Sequence, residues 1–326
     1  MTKPVVLVTA IGTAASTTIV SQLTRSGRYH VIGADIYPKH QVATSRDVNE
    51  FFVFPAAIRD LEAYIDFVVA FCREHQVDFY FATIDEEVAN LSAHRARLEE
   101  VGVRLCIPND GLVMTCHYKD RFSDWIDANL PTIGTKRYRR FAEVAAYPVF
   151  IKPIEGRASI GCRKIEKKAD AEDLLRTGLR EEDYLIQEFH EGEIITVDLV
   201  RNARTGQKQQ IQRIERLRNA SGCGIAVEIV DLPALRDICD ALMEKLQLNG
   251  VVNAEFFHQR GEAGERFWII EVNPRFSAGT SYSCLAGCDI VANAVQIAAG
   301  EACELGVPTV GAHLAKRYET YRLDEG

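Results

Sequence analysis

Phe267-Trp268-Ile269-Ile270-Glu271-Val272-Asn273-Pro274-Arg275 is the stretch of sequence that decides the fold of this chain. Its apolar residues predict a buried β-strand, and Pro274 ends that strand. Side chains alternate between the two faces of a strand, so Glu271 and Asn273 point the same way from an otherwise apolar element. Arg275 follows directly after the turn.

A second strand with a carboxylate in its middle lies upstream, in Val252-Asn253-Ala254-Glu255-Phe256-Phe257. The residues between the two strands include Gly261 and Gly264, which predicts a hairpin. Folding about that turn brings Glu255 within about one residue of facing Glu271.

Two carboxylates on one face of a buried hairpin repel each other and are costly unless a cation neutralises them. Carboxylate and amide oxygens are hard ligands that suit Mg²⁺, which takes its other ligands from water and from nucleotide phosphates. A fixed guanidinium at Arg275 suits a phosphoryl group in transfer. The alternative, a surface hairpin with solvated acids, is disfavoured by the flanking aromatic and aliphatic residues.

An apolar strand ends in Lys152 and runs into a loop of small residues, within Tyr147-Pro148-Val149-Phe150-Ile151-Lys152-Pro153-Ile154-Glu155-Gly156-Arg157-Ala158-Ser159-Ile160-Gly161. Such a loop can aim backbone N–H groups at phosphate oxygens, and the lysine adds a point charge. No G-K-S/T follows the glycines, so the segment is not a Walker A loop. Taken alone, a plain turn explains the segment better.

A third segment, residues 184–193, is an apolar strand that runs into a polar turn. Such a strand end can offer backbone groups to an adenine edge, with Phe189 against the ring and Glu193 on the ribose hydroxyls. By itself it is an ordinary strand end.

The first third of the chain alternates short apolar strands with helical patterns, which predicts a parallel sheet covered by helices. Residues 10–15 replace the second glycine of a dinucleotide loop, which argues against the alternative of a nicotinamide-dependent oxidoreductase. From Tyr147 onward the pattern changes to mainly strands.

The chain resembles the ATP-grasp superfamily in the order of its motifs. These are the lysine-bearing helix, K-P with its glycine loop, Q-E-F with a downstream Glu, and N-A-E…E-V-N-P-R. The similarity covers about residues 110–300 and is greatest to carbamoyl-phosphate-synthetase-like and carboxylate–amine ligase members. It implies an α/β chain: an N-terminal doubly wound parallel-sheet domain (1–110) followed by a two-lobed α+β ATP-grasp fold. The expected lobes are a central small lobe (111–185) and a C-terminal lobe with the metal site (186–326).

The resemblance also implies a role for each residue at a matching motif position. Lys119 and Lys152 are expected to contact ATP phosphates, Ser159 and Gly161 to belong to the loop over them, and Gln187, Glu188 and Phe189 to bind adenine. Glu193 is expected to bind the ribose, and Glu255, Glu271 and Asn273 to bind the metal. Arg275 with Lys152 is expected to act in phosphoryl transfer, and Arg216 with Arg218 to contact the substrate. For the last pair, solvated strand charges are an equally good interpretation.

The implied activity is an ATP- and Mg²⁺-dependent ligase that phosphorylates a small carboxylate to an acyl phosphate and couples it to an amine, releasing ADP and phosphate. One or two Mg²⁺ ions are expected, with Mn²⁺ as a substitute. Amino acids are the expected substrates by family analogy alone. The alternatives are bicarbonate or carbamate as the acceptor, a non-amine nucleophile, and a non-catalytic nucleotide-binding protein. Homodimers are common among such relatives.

Composition excludes other classes of partner. The formal net charge of −8 argues against a nucleic-acid partner, which needs a basic face. No run approaches about 18 uninterrupted apolar residues, so no membrane span is expected. Nine scattered cysteines without a C-x-x-C pair predict reduced thiols in a cytoplasmic protein.

Overall fold

A computed structural model describes residues 2–58, 60–154, 160–220, 222–262 and 264–323. Within these ranges the chain forms three β-sheets and ten α-helices. The strands are β1 (Val5–Val8), β2 (His30–Asp35), β3 (Glu50–Val53), β4 (Phe79–Phe81), β5 (Arg104–Leu105), β6 (Arg137–Tyr138), β7 (Val149–Pro153), β8 (Arg163–Ile165), β9 (Tyr184–Glu188), β10 (Glu193–Arg201), β11 (Lys208–Arg218), β12 (Gly224–Val230), β13 (Gly250–Gly261), β14 (Gly264–Asn273) and β15 (His313–Ala315). The helices are α1 (Ala14–Ser26), α2 (Leu61–Glu74), α3 (Asp85–Ala93), α4 (Arg95–Glu99), α5 (Asp110–His117), α6 (Lys119–Asn129), α7 (Lys168–Arg176), α8 (Pro233–Lys245), α9 (Thr280–Leu285) and α10 (Ile290–Ala299).

The N-terminal sheet is parallel, with strand order β3-β2-β1-β4-β5, as a doubly wound domain requires. Helix α1 begins where the Thr13 side chain accepts a hydrogen bond from the Ser16 N–H. It ends at Gly27, whose left-handed φ of 66° suits glycine. The predicted parallel sheet is confirmed, and β3 is an edge strand that the sequence pattern did not predict.

The two remaining sheets form the grasp lobes. The smaller sheet has the order β6-β9-β7-β8 and the larger β14-β13-β10-β11-β12-β15; every pairing within them is antiparallel. The expected lobe boundary after residue 185 falls inside β9, which belongs wholly to the smaller sheet, so we propose a boundary after Glu188. No helix in the described ranges combines the length and apolar character needed to cross a bilayer.

Alternation along β10 divides the larger sheet into two differently covered faces. Ile195, Val197 and Leu199 point into a core shared with α5, α6 and α8. Val200 lies on the opposite face, in a core that also contains residues of β1, α1 and α10. The N-terminal domain and the larger lobe therefore share one continuous apolar core. Polar side chains, among them Thr196 and Asp198 of β10, occupy much of the rest of that second face.

A buried carboxylate ties the helices of the N-terminal domain to its sheet. Glu87 of α3 accepts hydrogen bonds from Tyr80 (2.6 Å), from Thr9 (2.8 Å) and from Tyr64 of α2. Burial raises the pKa of the Glu87 carboxyl, although these three hydroxyl donors oppose the shift.

We expect Glu87→Gln to remove a pH-dependent cost of folding. Because the folded-state pKa of Glu87 is raised, the protonated carboxyl stabilises the folded protein, and this stabilisation is complete at a pH below the pKa of Glu87 in the unfolded chain. The stabilisation is lost as the pH rises through the folded-state pKa. The melting temperature of the wild type should therefore fall relative to that of Glu87→Gln as the pH rises above the ordinary pKa range of a glutamate. Glu99→Gln, at an exposed position, should follow the wild type at every pH.

Candidate active site

A cavity of about 840 Å³ lies where the three sheets meet. Its wall includes residues of the loops after β1 and β4, of β7 and β9, and of the polar face of the larger sheet. The size falls within the range of small-molecule sites, and it is large enough to hold more than one ligand group.

Glu255 of β13 lies directly opposite Glu271 of β14, so the predicted pairing of these residues is confirmed. A bulge follows Glu255, and the Asn273 side-chain amide donates to Glu271 Oε1 at 3.1 Å. Burial, and next the charge of Glu271, raise the pKa of Glu255 to about 7. All three side chains line the cavity.

Three basic side chains lie close to this acidic pair. Lys152, at the end of β7, is 7% exposed and donates to the Ile270 carbonyl at 3.0 Å. Burial lowers the pKa of the Lys152 ammonium, and Glu271 opposes that shift. Arg218 Nη2 lies 3.2 Å from Glu255 Oε2, and Arg275 Nη2 donates to the side-chain oxygen Oδ1 of Asn273 at 3.3 Å.

The donor set of Glu255, Glu271 and Asn273 fits a hard divalent cation. Its side-chain ligands are oxygens, and Mg²⁺ requires only one or two carboxylates when water and phosphates complete its shell. Within the described ranges no three His, Cys, Asp or Glu side chains come together as a metal-binding group. The set is therefore two carboxylates and an amide, which does not suit a metal that prefers sulfur or imidazole.

The remaining phosphate and loop predictions fall near the same cavity. Lys119, at the start of α6, lines it, and so does Gln187 of β9, which is one of the three predicted adenine contacts. Gly161 has a left-handed φ of 80°, and a Cβ there would lie 2.8 Å from Pro153 Cγ, so only glycine suits the position. Ser159 lies outside the described residues.

The predicted adenine and ribose contacts are placed differently. Glu188, Phe189 and Glu193 are not among the described residues that line the cavity. The Phe189 ring lies 4.3 Å from Lys164 Nζ. Glu193 accepts a hydrogen bond from Arg216 at 2.5 Å, so its carboxylate already has a partner.

The two predicted substrate arginines point in different directions, which corrects the expectation that they act together. Register shifts between Glu215 and Arg218 change the alternation of β11. Arg218 therefore lines the cavity, whereas Arg216 is bound to Glu193 and Glu228 and is absent from the described lining. The two-residue spacing of Arg216 and Arg218 in the sequence does not indicate this bulge.

A buried ion pair under the cavity floor was not predicted. Arg213 is 1% exposed and its Nη1 donates to Asp198 Oδ2 at 2.8 Å. Asp198 also accepts from Asn253 at 2.8 Å and from Ser283 at 2.6 Å. The sequence feature that could have revealed this ion pair is the aspartate inside the apolar strand β10, since a buried charge in a strand needs a partner.

A second unpredicted residue, Asp85, comes from the N-terminal domain. Its carboxylate accepts two hydrogen bonds from Arg275, at 2.7 Å from Nε and 2.9 Å from Nη2. The sequence signal was the acidic run that opens α3 directly after the apolar strand β4.

Comparisons with known proteins agree with this fold. Residues 180–319 match the family "ATP-grasp in the biosynthetic pathway with Ter operon". A pyruvate carboxylase of Staphylococcus aureus is 29% identical over 199 residues, which are 54% of this chain. The match spans only 17% of the length of that carboxylase.

Solved structures with a similar fold include the biotin carboxylase domain dimer of Hydrogenobacter thermophilus 2-oxoglutarate carboxylase, in complex with MgADP, ADP and bicarbonate. It has a TM-score of 0.73 at 15% identity, over 93% of this chain and 71% of that one. An L-amino acid ligase from Bacillus licheniformis has a TM-score of 0.68 at 14% identity, over 91% and 74%. The fold is thus that of an α/β protein of the grasp type. The described residues have the fold of the ATP-grasp superfamily, and residues 180–319 match one of its families in sequence.

We expect Glu255→Gln to stabilise the protein in a metal chelator at about pH 8, because it removes one of two buried, mutually repelling charges. Its melting temperature should exceed that of the wild type by about 2 °C or more. Added Mg²⁺ should stabilise the wild type and leave Glu255→Gln nearly unchanged.

Glu193→Gln is the matched control, since Glu193 also pairs with an arginine but lies outside the described cavity lining. It should keep the full response to Mg²⁺. Equal Mg²⁺ responses in Glu255→Gln and the wild type would contradict the proposed ligand set.

Proposed function

We propose that this protein is an ATP-dependent carboxylate–amine ligase. The observation that carries the proposal is the juxtaposition, in one cavity, of Glu255 and Glu271 with Lys152 and Arg275. Two acids that together need a divalent cation, next to a buried ammonium and a guanidinium, are suited to the charges of a transferring phosphoryl group.

In the first proposed step, a substrate carboxylate oxygen attacks the γ-phosphorus of ATP and ADP leaves with the electron pair of the broken P–O bond. Lys152 and Lys119 hold phosphate oxygens, and Arg275 contacts the transferring group. Glu255, Glu271 and Asn273 would hold Mg²⁺, which when bound neutralises phosphate charge. Positioning and charge neutralisation are the protein's main contributions in such a step.

In the second step, the amine nitrogen forms a C–N bond to the acyl carbon, phosphate leaves with the electron pair of the C–O bond, and the proton lost by nitrogen passes to the departing phosphate. Phosphate is a good leaving group, so no nucleophilic Ser or Cys is required. Arg218 and Arg213 of β11 both line the cavity, and Asp198 holds Arg213 from behind; we propose that the wall on this side holds the acid. In this proposal Arg218 contacts the substrate without Arg216, with which it was paired in the prediction from the sequence.

Bicarbonate is the second candidate for the acid. The 2-oxoglutarate carboxylase domain with a similar fold is described with bound bicarbonate, and a pyruvate carboxylase matches in sequence. Against it, the cavity also reaches Thr13 and Thr83 of the N-terminal domain, which leaves room for a larger acid than bicarbonate beside a nucleotide.

ADP release tests these candidates directly. The protein is incubated with ATP, Mg²⁺ and pairs drawn from amino acids and small carboxylic acids, with bicarbonate, thiol and alcohol arms in parallel. A ligase requires both an acid and an amine for ADP release and forms their amide. ADP release with bicarbonate alone would favour the second candidate, and nucleotide binding without turnover in any arm would favour a non-catalytic role.

We expect Glu271→Ala and Asn273→Ala each to lower turnover by about 100-fold or more, because each removes a proposed ligand of the Mg²⁺ that would neutralise phosphate charge. The circular dichroism spectra should match that of the wild type, and the melting temperatures in a metal chelator should not be lower than that of the wild type. Asn249→Ala, which removes an amide outside the described cavity lining, is the control for loss of an amide. Full activity in Glu271→Ala would refute the proposed metal site.

We expect Lys152→Met to weaken nucleotide binding by about 10-fold or more, since a charge-assisted hydrogen bond to phosphate is lost. Calorimetric titration with ADP and Mg²⁺ measures the dissociation constant. Lys208→Met serves as the control, because Lys208 pairs with Glu244 at the start of β11. An unchanged dissociation constant in Lys152→Met would remove Lys152 from the phosphate site.

A further inference from the structure

The Arg275 guanidinium is held by a carboxylate from another domain. Asp85 is the first residue of α3 in the N-terminal domain, and Arg275 follows β14 of the larger lobe. The two hydrogen bonds join Nε to Oδ1 at 2.7 Å and Nη2 to Oδ2 at 2.9 Å. Both side chains are about four-fifths buried, at 21% and 25% exposure.

We propose that Asp85 is a positioning residue that sets the orientation of Arg275 for phosphoryl transfer. The inference rests on the proposed function, and it gives the N-terminal domain a direct part in the chemistry. A guanidinium is planar and offers two bidentate edges, one formed by Nε with one terminal nitrogen and one by the two terminal nitrogens. Asp85 binds the first edge and so fixes the plane and direction of the second.

The surroundings of the pair make it rigid. Phe276 is buried in the core shared by the N-terminal domain and the larger lobe, and its ring lies 5.8 Å from that of Phe81 of β4. The positive end of the α3 dipole favours a carboxylate at its first residue. The second Arg275 edge makes only longer contacts, 3.3 Å from Nη1 to the Phe276 carbonyl and 3.3 Å from Nη2 to Asn273. An anionic ligand can replace those contacts without disturbing Asp85.

The chain supplies a closely matched control. Asp110 is the first residue of α5, and its Oδ1 lies 2.7 Å from Arg95 Nε, as Asp85 Oδ1 does from Arg275 Nε. Asp110→Asn therefore removes the same kind of helix-terminal ion pair from the same domain, at a position outside the described cavity lining. The comparison separates loss of stability from loss of arginine positioning.

The first experiment needs no substrate. In ¹⁵N-labelled full-length protein, the Arg275 Nε–H resonance is assigned by its disappearance in Arg275→Lys. We expect this resonance to be sharp and slow to exchange with solvent in the wild type and in Asp110→Asn. In Asp85→Asn it should move toward the position of exposed arginines and exchange faster. An unchanged resonance in Asp85→Asn would overturn the inference even if no reaction had been found.

The second experiment uses the acid and amine that release ADP with the wild type. We expect kcat to fall about 100-fold in Asp85→Asn, as for small misplacements of a catalytic group, with the KM for ATP within about twofold. Asp85→Glu should recover part of kcat, and Asp110→Asn should match the wild type. A higher kcat in Asp85→Asn, or an equal fall in Asp110→Asn, would overturn the positioning role. Failure of the wild type to turn over any pair refutes the proposed ligase activity, and the resonance of Arg275 still decides whether Asp85 orients it.

Discussion

The repulsion between Glu255 and Glu271 is the constraint on which the rest of the site depends. They face each other on paired strands inside the protein, where the charged form of a carboxylate is poorly solvated. Such a pair persists only if positive charge lies nearby. Arg218 and Lys152 supply part of that charge from two different sheets, so the site is formed only when the lobes pack together.

Each lobe contributes through a contact that crosses a boundary. Lys152 leaves the smaller sheet and binds the Ile270 carbonyl beside Glu271. Asp85 leaves the N-terminal domain and binds Arg275 just beyond the same strand. Strand β14 is therefore the element on which both other parts of the chain converge. The apolar core that the N-terminal domain shares with the larger lobe holds one of these contacts in place.

The sequence allowed most of the fold and the pairing of two acidic strands to be predicted, because period-two patterns placed Glu255 within about one residue of facing Glu271 without any knowledge of the lobes. Local pattern cannot reveal two other kinds of feature. A bulge in β11 separates Arg216 from Arg218, and nothing in the residue types marks it. The Asp85–Arg275 pair joins residues 190 positions apart, so only tertiary packing brings them together.

The pairing of charges in the cavity has a consequence for ligand binding. Arg218 and Arg275 are each bound to a carboxylate of the chain itself, so their charges are already balanced. A divalent ion at Glu255 would compete with Arg218 for that carboxylate, and an anionic substrate would compete with Glu255 for Arg218. Each ligand would therefore lower the cost of binding the other, and such a coupling is reciprocal. Arg275 differs, because Asp85 occupies only one of its edges. The site thus contains one arginine that can change partners and one that keeps its orientation throughout.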